Sequence, residues 1–319
     1  MQDLDDKPRL GVSSCLLGNS IRYDGGHCRN KMVCEQLGLF FQWVPICPEV
    51  EMGMPVPRET VRLVAQDGRT RLVGNKSGTD YSEAMRAYTE RKLKQIAPLR
   101  LHGYILKKNS PTCGMERVPL YGTAGGRIGK TGGLFAAAMT RAFPLLPVEE
   151  EGRLNDLALK DNFVERVYAY RRWQRFAASI HAPRHLVRFH TRHKYQLMAH
   201  DPKTYRALGR LVAQAGVMEM SELLPRYGTQ FMECLKIPAD AKRQANVLYH
   251  VMGFLKDSLD REDKHELLGL IERYRHRELS LTAPLTLIEH HLRKHPNPWV
   301  QQQHYLMPYP EAFTMRHRL

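Results

Sequence analysis

No run of about 18 apolar residues occurs in this 319-residue chain, which removes a membrane-spanning helix from the reading. The first residues, MQDLDDKPRL, are acidic and polar, so a secretory signal is not expected and the cytoplasm is the expected compartment. Cysteine is scarce: six in a chain this size, in a reducing compartment, suit ligands, nucleophiles or core positions better than a disulfide framework. There is no internal repeat, no low-complexity tract and no His-Glu-x-x-His spacing among the 15 histidines. Acidic residues are outnumbered, 33 against 48 Lys and Arg, giving a formal charge of +15 and a pI near 9.6. A polyanion is the natural partner of such a surface, because each neutralised phosphate releases condensed counterions. A basic but merely solvated surface has the same composition.

What is present divides the chain in two. Up to about residue 150, short apolar runs alternate with glycine-rich loops and turn signals. The strings LVAQ and RLVG around Asp67-Gly68 predict a hairpin. SEAMRAYTERKLKQIAPL predicts a helix capped by Ser82, and a second helix is expected after Gly132-Gly133. The first 150 residues therefore read as an α/β domain with a mainly parallel, Rossmann-like sheet. From 151 to 319 the texture is all-α. Amphipathic stretches cover roughly 156–180, 184–199, 202–216, 219–235, 239–257, 262–278 and 284–294, and LLPVEEEGRLND is expected to be the linker. Only His27 and His102 of the 15 histidines precede the boundary.

Three cysteines each follow a short apolar run: Cys15 after Leu10-Gly11-Val12, Cys47 after Trp43-Val44-Pro45-Ile46, and Cys113 after Gly103-Tyr104-Ile105-Leu106. In an open parallel sheet, ligands bind beyond the carboxyl ends of the strands, so these loops can converge on one point. Soft thiolates select zinc, copper(I) or iron–sulfur clusters. Zinc with three cysteines and an open position is a serious competitor. Structural zinc sites, however, usually draw paired cysteines from one knuckle, whereas single cysteines from three loops suit a cubane bound at three corners. Cys28, Cys34 and Cys234 read as small buried or half-buried residues.

Glu49 stands two residues after Cys47, and Ser110 three before Cys113. Alone, Glu49 would read as a loop cap or ion-pair partner and Ser110 as a turn residue ahead of Pro111. Beside a Lewis-acidic centre, the carboxylate can activate water and the hydroxyl can pass a proton or orient a substrate. Asp24 and Arg22 in RYDGG serve a turn or a surface equally well. AGGRIGKT nearly spells a phosphate loop, but Ala124 stands where the pattern needs glycine, so its glycines are expected to wall the site instead. In the helical part, Arg184, Arg188 and Arg192 recur every four residues with Tyr195 beside them. That stripe suits RNA phosphates and a stacked base, and equally a solvated helix face.

The segments SSCLLGNSIRYDGG, CPEVEMGMPVPR and NSPTCG resemble the signature of the thiouracil desulfurase family. RFHTRHKYQLMAH and the closing WVQQQHYLMPYPEAF resemble the helical domain fused to it in the RNA 4-thiouridine desulfidases. The resemblance implies a [4Fe-4S] cluster held by Cys15, Cys47 and Cys113, with one iron free to take the substrate's thiocarbonyl sulfur. It implies Glu49 as the base directing water at the thiocarbonyl carbon, and Ser110 as proton donor or substrate orienter. The expected reaction converts 4-thiouridine in RNA, above all tRNA, to uridine without net redox change, and the helical domain is expected to bind the RNA. Two other classes stay open: a zinc-dependent nucleobase hydrolase, and an RNA-binding protein with a structural or sensory cluster.

Overall fold

The computed structural model describes residues 7–310. Two compact units divide after Asp156. In chain order the first contains β1 Arg9–Ser13, β2 Gln42–Ile46, α1 Pro48–Glu51, β3 Val61–Gln66, β4 Arg69–Gly74, α2 Ser82–Ile96, β5 Gly103–Leu106, β6 Val118–Tyr121, β7 Arg127–Thr131, α3 Leu134–Ala142 and β8 Val148–Glu150. One sheet is parallel throughout, in the order β2-β1-β5-β8. Its central strands β1 and β5 are buried almost end to end, as expected where a parallel sheet is covered on both faces. Tyr104 of β5, Tyr88 of α2 and Phe135 of α3 pack as one ring cluster over that sheet.

The second sheet, β4-β3-β6-β7, joins two hairpins through the parallel pair β3 and β6. The first is the expected hairpin. Asp67 and Gly68 both take positive φ, 51° and 70°, which is the conformation a two-residue turn needs to follow the twist of its strands. The second hairpin corrects the reading of AGGRIGKT. Gly122–Gly126 form the turn between β6 and β7, and no residue of 122–133 lines the cavity described below.

Two further expectations change. Ser82 does not cap α2: its hydroxyl accepts the Leu72 amide at 2.8 Å, while Asp80 accepts the Ser82 amide at 2.8 Å. The expected linker contributes β8; its Glu149 and Glu150 and the following Glu151 are all buried, and each finds a donor nearby. Acidity made the segment look solvated, but local partners allow the burial.

The second unit is helical among the described residues: α4 Leu157–Ser179, α5 Pro183–His200, α6 Pro202–Val212, α7 Met220–Lys236, α8 Ala241–Leu255, α9 Arg261–Arg275, α10 Thr282–Lys294 and α11 Pro298–Gln301. Asp201, Asp240, Asp260 and Asn297 cap α6, α8, α9 and α11 through their side chains. Trp173, Phe176, Phe189, Tyr227 and Phe231 form an aromatic core between α4, α5 and α7. No helix among the described residues is long and apolar enough to cross a membrane. Residues 1–6 and the closing Glu311-Ala312-Phe313 of the family-like segment lie outside the described residues.

Candidate active site

The carboxyl ends of β2, β1 and β5 lie side by side, with Ser13 opposite Ile46 and Val12 opposite Ile105. Cys15 sits in a single 3₁₀ turn directly after β1. Cys47 follows β2 and is extended; its amide is accepted by Glu51 Oε1 at 2.9 Å, and Pro48 opens α1 behind it. Cys113 lies in the loop after β5. That loop is held by the first turn of α3, whose Leu134 and Ala136 amides donate to the Pro111 and Thr112 carbonyls at 3.1 Å each. Gly133 is required there, since a Cβ would stand 2.6 Å from the Thr112 carbonyl carbon.

Cys15, Cys47, Cys113, Glu49 and Ser110 all line one cavity of about 200 Å³. The three thiols ring this space. They do not meet at one point, because adjacent strands keep their ends about 5 Å apart; among the described residues, no three His, Cys, Asp or Glu side chains gather around a single metal-ion position. A wider, polynuclear group bridging three corners fits that donor set. Burial pushes the Cys15 and Cys113 thiols up to about 12, with Cys28 and Cys47 adding to the effect at Cys15. Burial raises Cys47 too. A hydrogen bond from Ser13 to the Cys113 sulfur works the other way, favouring the thiolate a metal needs, and the Thr112 hydroxyl lies 3.6 Å from the same sulfur. Ser13 is itself oriented by the Lys107 amide at 2.9 Å.

Glu49 is held by a residue that motif reading passed over. Arg58 gives both Nε, at 2.9 Å, and Nη2, at 2.6 Å, to Glu49 Oε2, and its Nη1 bonds the Ile21 carbonyl at 2.9 Å. The two side chains are 14% and 5% exposed, so the pair is largely shielded from solvent screening. The other oxygen, Oε1, accepts the Thr112 hydroxyl at 3.0 Å. Thr112 in turn stands 3.0 Å from Ser110 Oγ, which accepts the Thr112 and Cys113 amides at 3.3 and 3.1 Å. Arg58 closes the CPEVEMGMPVPR segment and Thr112 lies inside NSPTCG, so both were in view, but no spacing rule distinguishes them.

Arg22 and Tyr23 also line the cavity, with the guanidinium 5.2 Å from the Tyr23 ring and paired with Asp24 at 3.2 Å. Arg22 also donates to the Cys28 sulfur, and the Cys28 amide donates to the Cys15 carbonyl at 3.0 Å. Cys28 is half-buried, as expected, but its closeness to Cys15 was not foreseen. Cys34 is half-buried and Cys234 buried in the helical unit.

On α5, Arg184 and Arg188 are exposed, whereas Arg192 is half-buried. Tyr195 is 1% exposed, packed against Trp299 and His250, and offers no face for a base. The reason is local: from Tyr195 to His200 every residue of α5 is buried, so the helix no longer has a wet side. A larger cavity of about 520 Å³ exists in the helical unit, lined in part by Asp161, Glu165, His200, Tyr274 and Arg277. It contains none of the residues singled out from the sequence. The smaller cavity is the candidate site because thiols, carboxylate and hydroxyl coincide there.

Residues 10–151 match the model of the 2-thiouracil desulfurase family, and residues 194–310 match a family described as a protein of unknown function, DUF1722. The chain is 32% identical over 133 residues to the uncharacterized protein YbgA of Escherichia coli (strain K12), covering 41% of this chain and 79% of that protein. It is 32% identical over 155 residues to the uncharacterized protein YbbK of Bacillus subtilis (strain 168), covering 46% of this chain and 97% of that one. Among solved structures it is similar to the [4Fe-4S]-dependent thiouracil desulfidase TudS, at 28% identity and a TM-score of 0.38, over 48% of this chain and 97% of TudS.

Proposed function

The chain belongs to the 2-thiouracil desulfurase family, and from that premise we propose that it removes sulfur from 4-thiouridine in RNA, tRNA above all, leaving uridine. One observation carries the reading: three thiols, a carboxylate and a hydroxyl from three adjacent strand ends line a single cavity. Cys15, Cys47 and Cys113 would hold a [4Fe-4S] cluster. Such a cluster, when bound, supplies a thiophilic Lewis acid at its fourth corner.

The chain's own residues do the rest. Glu49 accepts a proton from the attacking water. Arg58 fixes the other carboxylate oxygen, so the base is held in one orientation. Ser110 is the proton donor. Water adds oxygen where sulfur leaves, so no electrons are exchanged. The exposed Arg184 and Arg188, together with the +15 charge, support an RNA substrate.

The test is purification of the full chain without air, iron and acid-labile sulfide analysis, then incubation with 4-thiouridine-containing RNA, 4-thiouridine nucleoside and 2-thiouracil. Loss of thiocarbonyl absorbance with uridine formed in the RNA is expected. Zinc without sulfide would sink the cluster, and a loaded protein that desulfurates 2-thiouracil but leaves the RNA intact would sink the substrate. Cys28 favours a second reading, an RNA-binding protein whose cluster is closed by a fourth thiol; there, Cys28→Ala loses the cluster and Glu49→Ala leaves RNA binding unchanged.

A further inference from the structure

The hydrogen bonds around Thr112 have a direction. A carboxylate oxygen only accepts, so the contact to Glu49 Oε1 at 3.0 Å takes the single proton of the Thr112 hydroxyl. Cys113 Sγ, at 3.6 Å from the same hydroxyl, is the weaker acceptor. The 3.0 Å contact between Thr112 Oγ1 and Ser110 Oγ then has to be made with the Ser110 proton. Ser110 Oγ agrees with this, because its lone pairs already face the amides of Thr112 and Cys113. Thr112 is 1% exposed, so bulk water does not replace any of these partners.

We propose that Thr112 is a relay residue that carries a proton between Glu49 and Ser110. This rests on the desulfidase reading and deepens it. The water O–H bond breaks, its oxygen bonds the thiocarbonyl carbon, and its proton goes to Glu49. The chain then reverses: the Ser110 O–H turns to the sulfur side of the substrate, and the longer amide contact from Thr112, 3.3 Å, gives up its lone pair. Protons pass from Glu49 Oε1 to Thr112, from Thr112 to Ser110 and from Ser110 to sulfur. The adduct collapses to C=O, the C–S bond breaks with sulfur leaving as hydrosulfide, and the second water proton goes to solvent. Each hydroxyl gains one proton and loses one, Glu49 returns to carboxylate, and nothing is oxidised or reduced. Arg58 keeps Oε2 out of the exchange, which leaves Oε1 as the only port. The two candidate catalytic groups, 61 positions apart in sequence, thereby act as one acid–base unit.

The test uses the full-length, cluster-loaded chain with Thr112→Val, which keeps the shape and removes the hydroxyl, and Thr112→Ser, which restores it. For Thr112→Val, kcat is expected to fall about 10²-fold with KM moved less than about threefold, and the solvent-deuterium proton inventory should lose its multi-proton curvature. Thr112→Ser should recover most of the rate and the curvature. Equilibrium binding of the desulfurated product base should be unchanged in both variants, and so should iron and sulfide content. Turnover of Thr112→Val near wild type, or failure of Thr112→Ser to rescue a fully loaded protein, overturns the relay. A drop in product-base affinity equal to the drop in kcat also overturns it, because Thr112 would then orient substrate. If wild-type protein desulfurates nothing, or Glu49→Gln turns over normally, the desulfidase reading itself has failed. An inactive Glu49→Gln beside an active Thr112→Val condemns the relay alone.

Discussion

The two units place their charges in opposite ways. In the α/β unit three shielded carboxylates each have a cation: Glu49 has Arg58, Glu151 has Lys107, and Glu149 has Arg153. In the helical unit Arg172 has Nε and Nη2 buried without a hydrogen-bond partner, and burial pushes its guanidinium down to about 10. Burial, with Arg172 and Arg192 adding to it, holds His304 down at about 2, and burial holds His190 down at about 4. Matched charges fix geometry and suit chemistry on a small group. Buried cationic groups short of hydrogen bonds leave that part of the helical unit sensitive to protons.

The largest effect expected from this contrast is at the thiols. Replacing Cys15, Cys47 or Cys113 by Ala should each abolish iron and acid-labile sulfide after purification without air, whereas Cys34→Ala and Cys234→Ala should retain both. Cys28→Ala should retain them too, and its behaviour decides whether the contact with Cys15 is structural only. Full cluster content in any one of the three ligand variants would remove that cysteine from the set.

Breaking a matched pair is the next largest. Arg58→Met leaves Glu49 buried without its cation, and truncating one partner of such a pair costs about 3–5 kcal/mol. Chemical denaturation of the full chain should show that loss in the transition of the α/β unit, while Glu49→Gln, which keeps a hydrogen-bonding side chain, should lose less. A full loss in Arg58→Met beside no loss in Glu49→Gln would mean that Arg58 stabilises through the Ile21 carbonyl and not through Glu49.

These contacts explain which parts of the molecule could be read from residues alone. The strand ends and all three thiols were legible because apolar runs and thiol chemistry are local signals. The seven long helices of the second unit were legible from their period. Arg58 and Thr112 were not: arginine and threonine are ordinary loop residues, and what singles them out is contact with a carboxylate 9 and 63 positions away. Tyr195 misled for a related reason. Helical spacing puts it on the side of Arg184, but periodicity cannot say where along its length a helix enters the core. Likewise the acidic run around β8 read as a linker because the partners of Glu151, Lys107 and Lys108, come from another strand's end.

A pH titration sharpens the comparison at smaller amplitude. His190 and His304 have folded values below the usual 6.5, so the unfolded chain binds their protons first. Their contribution is fully present above about pH 6.5 and is lost as pH falls, toward about 4 for His190 and about 2 for His304. Within that window the helical unit should lose up to about 1.4 kcal/mol per pH unit for each histidine. Denaturant midpoints at pH 8 and pH 5 measure it, and His190→Phe should flatten the slope. An unchanged midpoint would show that the two rings are charged in the folded state.

The smallest effect concerns α5, where the structure separates residues that spacing had grouped. Arg184 and Arg188 are exposed, Arg192 is half-buried with its Nε enclosed, and Arg192 bears on His304. If the exposed pair meets RNA phosphates, replacing Arg184 and Arg188 by Ala should flatten the salt dependence of RNA binding by about 0.7–0.9 log units per lost contact. Thionucleoside turnover should stay as before, since phosphate contacts position the polymer and the chemistry belongs to the other unit. Arg192→Ala should behave differently: it removes a charge pressing on His304, so it should move the acid unfolding of the helical unit more than the salt slope. A salt slope that drops equally for all three arginines would restore the uniform stripe that spacing suggests. No change for any of them would leave that face solvated and send the search for RNA contacts to another surface.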